Sequence, residues 1–436
     1  MTGLRVLVLV ADDLYVRSFI RSGGLDPLER KGTSWAASEH VRNAGDLERF
    51  ASYLGTIGDP LERREPYGRL QGLMMFAARR RSATWQIRMA ALPDRERRRT
   101  ALLALPPVRQ IKSRMILREL GLNGELHALL AGTRPDALVI PTAGTDILMF
   151  DALRSAKVLR IPTVLLVNGW DNVASKCFFP ETPARLGVWG DESAEEAVRI
   201  HRVPRDRVVS VGAPTFVDHF AFDSERSPSP YEHPYVLFAG CALPFDELTA
   251  LRALDREIGR AGVPGLKVVY RPHPWRKPRL CDDVFIPESF ENVVLDRQVE
   301  RNYLMSVETG QREPADFLPD LDYYPALLGH ARAVICPLST MTLEACIVET
   351  PVVAIAYDDG IHPEPPSTVA RFDHFRGIEA VPGVTMCRSL EDLPALVAGA
   401  TAAGPQRGMR PAIRPWLHFD ERSYGQRVAE VVGSVA

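Results

Sequence analysis

Short, unbroken runs of apolar and β-branched residues, each followed by a stretch with helical spacing, recur along this 436-residue chain. Arg5–Val10, Ala137–Ile140, Thr163–Val167, Arg185–Trp189 and Val208–Val211 come first. Tyr235–Ala239, Lys267–Tyr270, Val293–Leu295, Ala333–Cys336 and Val352–Ala356 follow. Polar residues do not alternate through these runs, so they suit strands covered on both faces, as in a parallel sheet. Glu192–His201, Asp246–Ala261, Thr340–Val348 and Leu390–Ala402 carry the helical patterns. Repetition of this kind implies α/β units with right-handed crossovers.

The repetition breaks once, near 214–234, where Asp223–Pro234 reads DSERSPSPYEHP. That stretch is polar and proline-rich, which is linker chemistry. A single core stops growing near ~250–300 residues, so two domains are expected. The expectation is an N-terminal Rossmann-like domain over 1–214, a linker over 215–234 and a C-terminal Rossmann-like domain over 235–420. A last helix, Glu421–Val435, crosses back onto the first domain. Two open sheets facing each other across a cleft would bind ligands beyond the carboxyl ends of their strands.

Lys plus Arg number 53 against 55 Asp plus Glu, a net charge of −2, which argues against a globally basic nucleic-acid binder. The charge is uneven. Between Arg79 and Arg118 there are eleven arginines and one lysine against Asp94 and Glu96, with Trp85, Ile87, Met89, Leu92, Leu102, Leu103 and Leu105 interleaved. Two readings fit: a solvated helical face with snorkelling arginines, or a dock for anionic lipid headgroups or an anionic acceptor. The six cysteines form no CxxC pair and match no zinc spacing, so free thiols of a reducing compartment are expected. The first apolar run, Val6–Ala11, stops at Asp12-Asp13, too short for a signal peptide. No run approaches the ~18 residues of a membrane span. A cytoplasmic protein, at most peripheral to a membrane, is the expectation.

Four loops hold the residues capable of chemistry. Arg271-Pro272-His273-Pro274 follows a strand, and its prolines fix the backbone on either side of an imidazole. That imidazole can hydrogen-bond a phosphate oxygen, and Arg271 can add a charge-assisted bond. Leu338-Ser339-Thr340-Met341-Thr342-Leu343-Glu344 opens a helix after another strand. Ser339 is a natural N-cap, and a helix start with hydroxyls and free N–H groups suits an anion. Glu344, one turn in, can accept from ribose hydroxyls or sit as an ordinary surface acid. Asn168-Gly169-Trp170-Asp171-Asn172 follows Thr163–Val167 and places Asp171 as a general base for an acceptor hydroxyl, or as a helix cap. Trp170, Asn172 and Lys176 flank it as secondary contacts. Asp12 and Asp13 after the first strand are rival carboxylates, Asp13 also being a good cap. Tyr357-Asp358-Asp359-Gly360 ends another strand, with His362 and His374 beyond. A paired acid alone supplies too few metal ligands, so no metal and no cofactor are expected. GxGxxG after the first strand, GxxxxGK[ST] and GxSxG are all missing, which argues against dinucleotide oxidoreductases, P-loop kinases and α/β-hydrolases.

Together these stretches resemble GT-B glycosyltransferases of bacterial surface carbohydrates: the CDP-glycerol glycerophosphotransferases, β-Kdo transferases and HP-motif sialyltransferases. WDNVASK at 170–176, the 185–220 segment, RPHP at 271–274 and 338–360 carry the resemblance. It implies an N-terminal acceptor domain, a C-terminal nucleotide-donor domain, and donor-phosphate contacts from His273, Ser339 and Thr340. The sialyltransferase acidic-acidic-glycine motif precedes HP, whereas Asp358-Asp359-Gly360 follows it here, so Asp171 remains the expected base. The implied activity is metal-independent, inverting glycosyl transfer. The donor is a nucleotide-activated sugar, a cytidine nucleotide among the candidates, and the acceptor a glycan or lipid-linked hydroxyl. A CDP-polyol phosphotransferase, a sugar-nucleotide epimerase and a non-catalytic nucleotide-binding protein are the alternatives.

Overall fold

The computed structural model describes residues 3–242, 245–274, 284–310, 323–362 and 364–435. The chain forms two compact units, Met1–Thr215 with Arg414–Ala436, and Phe216–Ile413.

The first unit is built on a seven-stranded sheet in the order β3-β2-β1-β4-β5-β6-β7. The strands are β1 (Val6–Val10), β2 (Thr33–Ser38), β3 (Tyr53–Ile57), β4 (Ala137–Thr142), β5 (Thr163–Val167), β6 (Arg185–Val188) and β7 (Val208–Ser210). All neighbours run parallel. Every residue of β1, β4 and β5 is buried, as strands covered on both faces require. The order reverses direction between β1 and β4, and the carboxyl ends of those two strands form the switch point where open α/β sheets take ligands.

Two of these strands, β2 and β3, come from the region 30–135, in which the sequence reading places no strand. Small and polar residues surround Trp35 in β2, and β3 lies at the sheet edge with four of its five residues exposed or half-buried. The rest of that region is helical: Arg64–Ala78, Ala83–Ala90, Asp94–Leu103, Pro106–Leu120 and Gly124–Thr133. A buried cluster ties three helices together. The Asp151 carboxylate, fully buried, accepts from Arg63 Nε at 2.7 Å and from the Tyr67 hydroxyl at 2.5 Å, and Arg154 reaches the same hydroxyl at 3.1 Å.

The C-terminal helix, Tyr424–Gly433, belongs to this unit. Val428, Val431 and Val432 enter its core, and Arg427 Nε donates to the Val211 carbonyl at 2.9 Å. Gly425 permits the approach, since a Cβ there would lie 2.6 Å from Pro27 Cδ.

The second unit carries a six-stranded parallel sheet in the order β10-β9-β8-β11-β12-β13. Its strands are β8 (Tyr235–Ala239), β9 (Lys267–Arg271), β10 (Val293–Leu295), β11 (Val334–Pro337), β12 (Val352–Ile355) and β13 (Val384–Cys387). The switch point falls between β8 and β11. The stretch expected as a linker is packed on this unit instead. Helix Val217–Ala221 opens it, Phe222 fills the space that a Cβ at Gly329 would occupy, and the Tyr231 hydroxyl lies 3.3 Å from Asp296. Its aromatic residues anchor what its prolines and serines suggest is free.

Candidate functional site

In the second unit the expected phosphate-binding loops leave one edge of one sheet. RPHP follows β9 and Leu338-Ser339 follows β11, with β8 between them. Neighbouring strands lie about 4.8 Å apart, so the two loops start roughly 10 Å from each other. Pro337 closes β11, and Ser339 holds an extended backbone as N-cap of helix Thr340–Ile347. The Thr342 hydroxyl, buried one turn in, accepts the Ser339 N–H at 3.4 Å. Ser339, Thr340 and His273 remain half-exposed.

Arg271 is placed differently from the expectation of a phosphate contact. Its guanidinium is buried in an ion pair with Asp296, also buried, and lies 5.1 Å from the Tyr324 ring centroid. Burial pulls the guanidinium pKa down, and Tyr324 and Asp296 more than offset this, so the net direction is upward. Asp296 also accepts from the Tyr323 hydroxyl at 2.6 Å. Arg271 therefore locks the end of β9 from which His273 emerges.

Glu344 is likewise turned inward. It is 8% exposed, and its Oε2 lies 3.2 Å from Nε2 of the buried His219. Asp358 and Asp359 organise their own turn. Asp358 accepts the Gly360 N–H at 2.8 Å, while Asp359 accepts from Ile361 and Asp246 and meets His362 Nδ1 at 2.6 Å. His374 is buried beside Phe375. Burial pushes the Cys336 thiol up to about 12, which keeps it protonated and without nucleophilic character at neutral pH. Among the described residues no group of three or more His, Cys, Asp or Glu is arranged to hold a metal.

The carboxyl end of the first unit's sheet gathers acids. Asp12, not Asp13, caps the first short helix, accepting Leu14 N–H at 2.8 Å. Asp13 instead holds the loop after β2 through Asn43 N at 2.9 Å and Arg42 N at 3.2 Å. Asp171 stands at the start of helix Asn172–Ser175, where its carboxylate accepts from Ser175 Oγ at 3.1 Å and pairs with Lys176 Nζ at 3.2 Å. Lys176 thus meets Asp171 as well as solvent. Trp170 and Asn172 are core residues: Trp170 O accepts from Ser193, and Asn172 Nδ2 donates to Ala143 O at 3.2 Å.

One residue here escapes the sequence reading. Asp146, in the loop after β4, receives the Thr142 hydroxyl at 2.5 Å and the Tyr15 hydroxyl at 2.7 and 2.8 Å to its two oxygens. Burial raises its pKa, opposed by those two hydrogen bonds. Tyr15 follows β1 and Asp146 follows β4, so this contact bridges the switch point. Gly144, with φ +80°, lets the loop close on Cys177; a Cβ there would lie 2.3 Å from Sγ. A glycine followed two residues later by an acid, just past a strand, is the only trace of this in the sequence.

The Asp171 loop is braced from a distance. Gln71 Nε2 donates to Lys176 O at 2.6 Å, Arg88 to Ser175 O at 2.7 Å, and His201 Nε2 lies 2.7 Å from Val173 O. Part of the basic segment thus positions the expected base.

Comparison of the whole fold with solved structures bears on its class. The UDP-bound MnaA of S. aureus matches with a TM-score of 0.56 and 11% identity, over 99% of this chain and 96% of that one. The UDP-GlcNAc 2-epimerase of Methanocaldococcus jannaschii gives 0.51 and 12%, over 98% and 99%. The chain has the GT-B fold. The UDP-N-acetylglucosamine 2-epimerase of Rickettsia bellii matches at 0.50 with 11% identity, over 99% and 97%. At such identities the likeness is one of fold. No family model and no curated protein sequence matches the chain.

Proposed function

We propose that the protein acts on a nucleotide-activated sugar and transfers the sugar to an acceptor hydroxyl. The observation that carries this reading is the pairing of His273 with the Ser339-Thr340 helix start at one sheet edge, on either side of β8. Hydroxyls, an imidazole and free helix N–H groups suit the two phosphates of a nucleoside diphosphate, and the separation of the loops suits their length. These donors also meet the charge that develops on the leaving phosphate as the glycosidic bond breaks. Near that edge Asp296, Glu344 and Glu247 are engaged in contacts of their own.

The first unit supplies the complementary chemistry. Asp171, with 28% of its side chain exposed, can take the proton of an acceptor hydroxyl, and Lys176 Nζ lies 3.2 Å from the carboxylate. Asp146 orders the loop after β4. No metal enters this scheme.

Epimerisation of the sugar is the second reading. It is favoured by the fold shared along the full chain with UDP-GlcNAc 2-epimerases. It needs one substrate and no acceptor, which gives a clean separation.

A thermal-shift panel of CMP, CDP, UDP, GDP and ADP on the wild type and on His273→Ala tests the phosphate site. Ligand at a hundredfold excess over its dissociation constant stabilises the fold by about 2.7 kcal/mol. A rise with one nucleotide that disappears in His273→Ala supports the reading, and no rise with any of the five defeats it. The matching nucleotide sugar is then incubated without acceptor and followed by NMR. A new epimer in place of intact donor would choose the second reading over the first.

A further inference from the structure

The basic segment divides into two halves with different surroundings. In the first, arginines turn toward the protein. Arg81 donates to Ile200 O at 2.9 Å, Arg88 to Ser175 O at 2.7 Å, and Arg79 lies 3.9 Å from the Phe76 ring centroid. In the second, helices Asp94–Leu103 and Pro106–Leu120 pack beside each other without one fully buried residue. Pro106–Leu120 rests on the core through Ile116, Leu117 and Leu120. Its opposite stripe, Ile111, Arg114, Met115 and Arg118, follows the i, i+3, i+4, i+7 spacing of one helix face. Ile111 is 58% exposed and Met115 55%. On the other helix Arg95, Arg98, Arg99 and Leu102 share the same spacing, and Leu102 is 65% exposed. Among the described residues none of these five arginines forms an ion pair with an acid.

We propose that this helix pair is a docking surface for an anionic lipid bilayer. The surface needs two things at once: anions for its arginines, and an apolar medium for Leu102, Ile111 and Met115. A soluble polyanion satisfies only the first. A protein partner places an apolar centre inside a polar rim, whereas here each stripe carries both charge and hydrocarbon. The boundary between headgroups and acyl chains offers both at every lateral position. Arginine stems can lie along that boundary with their heads among the phosphates. RNA is disfavoured because residues 94–120 contain no aromatic side chain on which a base could stack. None of the described helices is long and apolar enough to cross a membrane, so the surface lies on the bilayer rather than through it. This docking stands independently of the reaction proposed above; if the acceptor is lipid-linked, it brings the enzyme to the acceptor.

The test is co-sedimentation of the full chain with phosphatidylcholine vesicles, with and without phosphatidylglycerol, at low and high salt. Binding is expected to the anionic vesicles alone and to weaken with salt. Two double variants separate the contributions. Arg98→Gln with Arg114→Gln, and Ile111→Ser with Met115→Ser, are each expected to lower the partition coefficient about tenfold. Both pairs are exposed, so thermal melts and nucleotide binding are expected to match the wild type. No binding of the wild type to anionic vesicles overturns the proposal. So does an apolar double variant that binds as well as the wild type, because the surface would then be a charge attractor only.

Discussion

In the first unit the loops after β1, β4 and β5 carry Asp12, Asp146 and Asp171. In the second, those after β9 and β11 carry His273, Ser339 and Thr340. The strand orders correspond, apart from the extra β7 edge strand. The second unit has acids near its sheet edge too, and three of them are engaged internally. Asp296 holds Arg271, Glu344 meets His219, and Glu247 accepts from Tyr270 at 2.6 Å and Cys241 N at 3.0 Å. One scaffold thus yields a carboxylate-bearing edge suited to a hydroxyl and a donor-bearing edge suited to an anion. The difference lies in which groups stand exposed or half-exposed at each edge, Asp12, Asp146 and Asp171 in the first unit and His273, Ser339 and Thr340 in the second.

The sharpest way to break this comparison is at Arg271. If its role is to neutralise Asp296, Arg271→Met strands a buried carboxylate and costs about 3–5 kcal/mol in denaturant unfolding of the second unit. Arg271→Met with Asp296→Leu, which removes both charges, recovers most of that loss. A single variant with wild-type stability but lost nucleotide affinity would return Arg271 to the phosphate.

The next effect is in the first unit. Asp171→Asn is expected to lower turnover about 100-fold or more while leaving the nucleotide-induced thermal shift intact. Asp146→Asn changes the same assay less, because Asp146 orders its loop through Tyr15 and Thr142. Equal losses in the two variants would make Asp146 the base.

Acid should also expose the difference between the two units. Burial pushes the His201 imidazole down to about 4, against the pull of its hydrogen bond to Val173 O, with Arg81 adding to the downward shift. A depressed folded pKa means the unfolded chain binds the proton first. The stabilisation is complete above the unfolded value of about 6.5 and fades as pH falls toward the folded one. Wild type is therefore expected to lose up to about 3 kcal/mol in the first unit between those limits. His201→Gln lacks that slope, which urea titrations at neutral and acid pH would show.

Much of this was legible in the sequence, for local reasons. Ten strands declared themselves because buried parallel strands read as continuous apolar runs. The helix start at Ser339 and the strand end before His273 follow from neighbouring residues alone. The strands β2, β3 and β13 did not read, being rich in small or polar residues or half exposed at an edge. Partnerships over long separations were equally hidden. Arg271 shows no sign of Asp296, nor Glu344 of His219, nor the Asp171 loop of Gln71 and Arg88, because each is made by tertiary approach. The sequence marks which side chains can do chemistry, and the fold decides which remain available for it.

The smallest effect gives the finest test. Ser339 and Thr342 share one helix turn, yet Thr342 is buried against Cys336 and the Ser339 N–H, whereas Ser339 is half-exposed at the sheet edge. Loss of an N-cap hydroxyl costs about 1 kcal/mol, and loss of a buried hydroxyl's hydrogen bond is of the same order. Ser339→Ala and Thr342→Val should thus destabilise the second unit to a similar, small degree. Only Ser339→Ala should also weaken nucleotide binding, by about tenfold if its hydroxyl donates to a charged phosphate. Isothermal titration of both variants against the nucleotide chosen by the thermal panel separates the two. Equal affinities would mean that Ser339 serves the helix alone, and the donor-bearing edge would then rest on His273 and Thr340.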